Sequence, residues 1–272
     1  PRAVNGQGGW TREIDLYLPV HDRDQWSEIT EHVGRMLRFL TGDRWRLFVR
    51  QRPASHKTLA TDTDKLPLHG LQGVSLFSGG LDSLIAAIDT LTSGGRPLFV
   101  SHYWDAETAK AQSYLLERLE TKFGDDAFKS LRVRLGFDRD ALDTGQVEDT
   151  QRGRSFLFYA LATLAAASFG MRTTVSVPEN GLIALNVPLD PLRLGALSTR
   201  TAHPHFMASV QRLIDSLELD ATIENPYRHQ TKGEMVRDCA DLPYLRRIVG
   251  SSMSCSSPAK ARYKGLSPRH CG

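Results

Sequence analysis

From Gly73 onward, short apolar runs alternate with stretches of helical spacing, and this alternation constrains the chain more than any other feature. "VSLF" (74–77) reads as a buried strand, 82–91 as a helix, "PLFVSHY" (97–103) as a strand and 107–123 as a helix. "SLRVRLGF" (130–137), a helix over 155–169 and the strand "TTVSVPEN" (173–180) follow. Strands that read as continuous apolar runs are buried on both faces, and crossover helices are what cover them. The order βαβαβαβ therefore predicts an α/β fold: an open parallel sheet with helices on both faces and right-handed connections. Ligands on such sheets bind beyond the carboxyl ends of the strands, so the positions after Phe77, Tyr103, Phe137 and Val177 are the ones to search. A helix over 205–217 and a short one beginning near Lys232 complete the pattern, with no internal repeat.

A smaller unit precedes this region. "REIDLYLPV" and "DRWRLFVRQR" alternate like strands, and "DQWSEITEHVGRMLRFL" between them has helical spacing through Trp26, Ile29, Val33, Met36, Leu37 and Leu40. The polar stretch over 53–69 has turn composition and no period, which makes it a linker. The chain thus divides into an N-terminal α/β module with linker (1–69), the main α/β domain (70–248) and a tail (249–272). From Arg246 onward there are Lys and Arg (Arg246, Arg247, Lys260, Arg262, Lys264, Arg269) but no Asp or Glu, and two of the three cysteines. Elsewhere charge is balanced: 34 basic against 31 acidic residues leave +3 overall, too little to imply nucleic acid or a membrane as partner. The most apolar segment, "SFLFYALATLAAASFG" (155–170), is shorter than the roughly 20 residues a membrane span needs and reads as a buried helix. Three cysteines make no disulfide framework and no signal-peptide pattern opens the sequence, so a cytoplasmic protein is expected.

Ser78-Gly79-Gly80-Leu81-Asp82-Ser83 occupies the first strand-to-helix junction of the main domain. Glycines there let the backbone fold around an anion, the free N–H groups of the helix start face it, and Ser78 and Ser83 add hydroxyls. The pattern is neither a Walker A loop nor a dinucleotide Gly-x-Gly-x-x-Gly turn. Asp82 has two possible roles, helix N-cap or carboxylate ligand of a Mg²⁺ ion beside phosphates.

The loop resembles, letter for letter, the SGGxDS loop of the PP-loop ATP pyrophosphatases. The resemblance implies an adenine nucleotide alpha hydrolase-like fold whose loop grips the pyrophosphate of ATP while a substrate oxygen attacks the α-phosphate. "TRTAHPHF" (199–206), "NPYRHQTKGEMV" (225–236) and "SMSCSSPAKARYKGLSPRHCG" (252–272) look like the distal half of the 7-cyano-7-deazaguanine synthase (QueC) family. The match is closest to the QueC-like proteins of bacterial anti-phage operons, the QatC type, which also carry an extra N-terminal module. What this implies is an ATP-dependent C–N ligase that adenylates a 7-deazapurine carboxylate and couples it to ammonia or a protein amino group. Mg²⁺, a structural Zn²⁺ and partner proteins of a defence operon are implied with it, and no membrane.

The same resemblance assigns residues. Ser78, Gly79, Gly80, Leu81, Asp82 and Ser83 would hold the nucleotide, with His102 and Tyr103 at the adenosine end of the second strand and Arg154, beside Arg152, at the entry to the buried helix. Asp82 and Lys232 would be catalytic, Lys232 meeting phosphate as a point charge. Glu179 and Asn180 offer an acceptor and an amide for a purine-like edge, although "ENG" is also plain turn chemistry. His203 and His205 suit substrate contact, a metal pair or a helix cap. Cys255 and Cys271 would be two of four zinc ligands, the natural sequence being expected to continue with the others, and Cys239 a packed thiol. Two other readings remain open: a tRNA-modifying thiolase, supported by the same loop and the basic tail, and a non-catalytic, ATP-gated subunit of a defence complex.

Overall fold

A computed structural model describes residues 6–7, 11–56, 68–103, 105–136, 153–185 and 200–254. The order-determining feature is a five-stranded parallel sheet, arranged β5-β4-β3-β6-β7. Its strands are β3 (Gly73–Leu76), β4 (Pro97–His102), β5 (Lys129–Val133), β6 (Thr173–Ser176) and β7 (Ala221–Glu224). The chain builds outward from β3 through β4 to β5, then returns to the other flank of β3 to lay down β6 and β7. β3 is therefore central, and the order of strands turns between β3 and β6. The expected α/β parallel sheet is present, with a fifth strand, β7, that the apolar pattern did not mark. Its sequence, "ATIE", has two half-buried residues and an exposed end, as befits an edge strand.

Alternating side chains on the strands divide the core. Val74, Leu76, Leu98, Val100, Val175 and Val177 pack with α4 (Arg154–Ala167) and α6 (Pro204–Ser216), whereas Phe77 and Phe99 pack with α2 (Leu81–Thr92) and α3 (Ala106–Phe123). Every residue of β4 is buried because it lies between two strands and two helical layers. The second layer is completed by α7 (Lys232–Arg237) and α8 (Leu242–Ile248), which contribute Met235, Tyr244, Leu245 and Ile248. Pro243 in its first turn and the Asp241 cap begin α8, which the sequence pattern did not separate from its polar surroundings.

The N-terminal unit is a parallel β-α-β: β1 (Glu13–Val20) and β2 (Arg44–Gln51) pair in register along their full length, joined by α1 (Arg23–Thr41). Asp22 caps α1 by accepting from the Gln25 N–H, and Gly42, at φ 75°, ends it in the left-handed region. The apolar stripe of α1 (Ile29, Val33, Met36, Leu40) enters the same cluster as α4 and α6. His32 Nε2 lies 2.8 Å from the Ser209 carbonyl, and Arg200 donates to the Phe39 carbonyl at 2.9 Å. Among the described residues no helix is long and apolar enough to cross a membrane.

Candidate functional site

The loop over 78–83 leaves the carboxyl end of β3, at the point where the strand order turns, and this is where open α/β sheets hold ligands. Gly79 adopts φ 81°, a left-handed conformation that disfavours any side chain, and a Cβ there would sit 3.0 Å from Gln112 Cγ. Gly80 is the N-cap of α2 and supplies no side-chain cap, and the first N–H of the helix, that of Leu81, donates to Ser254 Oγ at 3.0 Å. A Cβ on Gly80 would lie 3.3 Å from Ser78 Oγ. Ser78 and Ser83 hydroxyls are 3.1 Å apart, and Gly80 N–H donates to Ser78 Oγ. The loop is a backbone cradle edged by hydroxyls.

Asp82 does not cap α2. It lies inside the first turn, buried, with its carboxylate turned toward the end of β6. Oδ2 accepts from the Asn180 backbone N–H at 3.1 Å and from Asn180 Nδ2 at 2.7 Å. Lys232 Nζ lies 3.0 Å from Oδ1. That approach is off the hydrogen-bonding directions, so among the described residues Oδ1 has a counter-charge but no directed hydrogen bond, although it is shielded from solvent. The structure thus brings together three residues that the sequence proposed separately. Lys232 is placed by a reciprocal cap, in which Thr231 Oγ1 accepts from Glu234 N–H and Glu234 accepts from Thr231 N–H.

A half-open cleft adjoins the loop. Ser78 and Ser83 form one side, Val177, Pro178 and Glu179 another, and Phe158 and Tyr159 of α4 are aromatic walls. The Glu179 side chain lies within the cleft and makes no hydrogen bond among the described residues. Burial, reinforced by the negative charge of Asp82 and opposed by Lys232, raises its carboxyl to about 7. Asn225 fixes the backbone beneath it, donating to the Glu179 carbonyl at 2.8 Å.

Other expected residues have structural tasks. Asn180 is buried, and its amide is committed to Asp82 and to the Ile183 N–H that starts the short helix α5 (Gly181–Ala184). It orients the carboxylate and has no exposed edge with which to read a purine. His203 Nδ1 accepts from His205 N–H and caps α6, and both rings pack on Phe39. His102 is buried at the end of β4, its Nε2 3.2 Å from the Leu135 carbonyl and its ring edge-on to Phe158. Tyr103 lies under the Arg132 guanidinium. Cys239 is buried, with its thiol raised to about 11 by desolvation. Arg154 begins α4, but its side chain, like Phe137, Arg152, Cys255 and Cys271, lies outside the described residues. Among the described residues no group of three or more His, Cys, Asp or Glu is placed to hold a metal ion.

Sequence reasoning missed Gln112, which is fully buried on α3 and donates from Nε2 to the carbonyls of Ser78 (3.2 Å) and His102 (3.1 Å). It ties the ends of β3 and β4 beneath the loop. The available signal was an amide in line with the apolar stripe of α3 (Ala111, Leu115, Leu119). A scan of protein-family models gives no match to this chain, and a search of curated proteins gives none.

Proposed function

We propose that the chain is an ATP-dependent ligase of the PP-loop type that activates a carboxylate as its adenylate and transfers the acyl group to an amine. The observation that carries this reading is the glycine cradle at the end of the central strand, with Asp82 held between Asn180 and Lys232 at its rim. Displacement of pyrophosphate needs charge neutralised by fixed donors and cations more than it needs covalent help, and the cradle supplies such donors.

In the reaction a carboxylate oxygen bonds to the α-phosphorus of ATP, the bond from that phosphorus to the bridging oxygen breaks, and pyrophosphate leaves with the electron pair. The amine nitrogen then bonds to the acyl carbon and AMP leaves. Lys232 faces the departing phosphate charge, and Ser78, Ser83 and the helix N–H groups beyond Leu81 bind it. Glu179, part-ionised at neutral pH, receives the proton that the amine loses. Mg²⁺ needs only one or two protein carboxylates beside phosphate oxygens and water. Asp82 Oδ1, shielded, accepting no hydrogen bond among the described residues and faced by Lys232, would serve as one such ligand, and the ion would neutralise phosphate charge.

The finer reading is a QueC-like enzyme of the adenine nucleotide alpha hydrolase fold acting on a 7-deazapurine acid, with ammonia or a protein amino group as acceptor, in anti-phage defence. Its support is the likeness of the segments 199–206, 225–236 and 252–272 to that family, together with a cleft beside the loop that Glu179 and Phe158 both line. A thiolase needs a reactive thiol near the loop. Cys239, the one cysteine among the described residues, is buried and held protonated at neutral pH.

The test is exchange of labelled pyrophosphate into ATP. Exchange that depends on 7-carboxy-7-deazaguanine is expected. Exchange stimulated only by tRNA would favour the thiolase, and no exchange with any carboxylate would leave an ATP-gated subunit.

A further inference from the structure

Ser252 to Ser254 lie next to the loop, although more than 170 residues of chain separate them from it. Met253 N–H donates to the Gly79 carbonyl at 2.7 Å, and Leu81 N–H donates to Ser254 Oγ at 3.0 Å. The first N–H of α2 is one that no side chain of the loop satisfies, and Ser254 places an oxygen on it. A Cβ built on Gly80 would lie 3.3 Å from Ser78 Oγ and 3.5 Å from Ser254 Oγ, so two hydroxyls far apart in sequence converge on one glycine.

Ser254 is exposed, and its Oγ makes no other hydrogen bond among the described residues. Its own O–H therefore remains to be donated. A hydroxyl that accepts from a helix N-terminal N–H is polarised toward donating onward, and the helix start favours negative charge beside it. Two further features of the same place point to a ligand that carries a cation. Among the described residues Gln112 Oε1 accepts no hydrogen bond and Asp82 Oδ1 faces only the Lys232 ammonium, and such buried acceptors suit the Mg²⁺ of a metal-bound phosphate chain, not the phosphate oxygens themselves.

We infer that Ser254 is a phosphate-binding residue of this loop, supplied by the C-terminal segment. Its Oγ takes the Leu81 N–H and its proton goes to an oxygen of a pyrophosphate or triphosphate chain. The inference rests on the reading of the loop as a pyrophosphate site. It makes the C-terminal segment part of the nucleotide site, with the Met253 backbone bond to Gly79 as its fastener.

The experiment is calorimetric titration of the full chain with pyrophosphate in excess Mg²⁺, comparing wild type, Ser254→Ala, Ser254→Thr and Gly80→Ala, after thermal melts show that each is folded. Loss of one hydrogen bond to a charged group predicts that Ser254→Ala weakens binding roughly tenfold, about 1.4 kcal/mol, with Ser254→Thr close to wild type. Equal or tighter binding by Ser254→Ala, while the wild type binds, overturns the inference alone, because the hydroxyl would then be only an occupant that an anion displaces. Gly80→Ala puts a methyl against both hydroxyls, crowding Ser78 Oγ by a few tenths of an ångström, and is expected to weaken binding by displacing them; binding by Gly80→Ala equal to wild type counts against the inference alone. If the wild type does not bind, the pyrophosphate reading of the loop fails and the inference falls with it.

Discussion

Replacing Asn180 by Asp changes one polar contact and leaves the shape of the site alone. The backbone N–H still donates to Asp82, and a carboxylate oxygen can still accept from the Ile183 N–H that Asn180 caps. What changes is the 2.7 Å contact from Nδ2 to Asp82 Oδ2, which becomes oxygen against oxygen in a buried setting. Two carboxylates this close cannot both ionise, so the folded variant must keep a proton between them. Holding it at pH 7 costs about 4 kcal/mol relative to a free carboxyl titrating near 3.9. Lys232, half-exposed and 3.0 Å from the other oxygen of Asp82, offsets part of the repulsion. Allowing about 1 kcal/mol for such a pair leaves an expected loss of roughly 3 kcal/mol. The extra proton is bound in the folded state and released on unfolding, so the folded carboxyl is the raised one. Stability of the variant is therefore fully retained below about pH 4 and lost as pH rises, by up to about 1.4 kcal/mol per unit. Urea unfolding of wild type and Asn180→Asp at pH 4.5, 5.5 and 7 reads this directly. A penalty that does not vary with pH, or no penalty at pH 7, would show that the Asn180 amide does not hold the Asp82 carboxylate.

Three further changes test the neighbourhood. Gly181→Ala would push a Cβ to 2.4 Å from the Arg228 carbonyl oxygen, a backbone atom that cannot swing aside; a loss of about 2–3 kcal/mol in chemical unfolding is expected, since overpacking costs of this order. Glu179 titrates near 7 when folded against 4.5 as the ordinary value. Its neutral form thus stabilises the fold below about pH 4.5, and that contribution is lost as pH rises to about 7, so Glu179→Gln should flatten this part of the stability profile. Lys232→Met removes the cation facing Asp82 and is expected to lower pyrophosphate exchange about a hundredfold, the loss typical of one electrostatic contact to developing charge, with thermal melts checking that the fold persists.

Much of the architecture is written locally. The 3.6-residue spacing of α1, the buried run of β4 and the glycine pair after β3 can be read from a few neighbouring residues, because each follows from backbone geometry and from which face meets water. The tight turn of Gly79 and Gly80, edged by the Ser78 and Ser83 hydroxyls, was legible for the same reason. β7 and α8 were not: a four-residue edge strand carries little alternation, and the seven residues of α8 span only two turns.

What the sequence could not determine is which distant residues meet. Asp82 and Asn180 are 98 positions apart, and their bond exists because the chain returns to lay β6 against β3. The same order of strands brings Lys232 to the first oxygen of Asp82, turns Asn180 from a ligand reader into a support, and carries Ser254 to Leu81. Periodicity records which side of an element is buried but not which strand lies beside it. The loop's glycine turn is therefore a property of six consecutive residues, whereas the charge, burial and hydroxyls around it were decided only when the sheet closed.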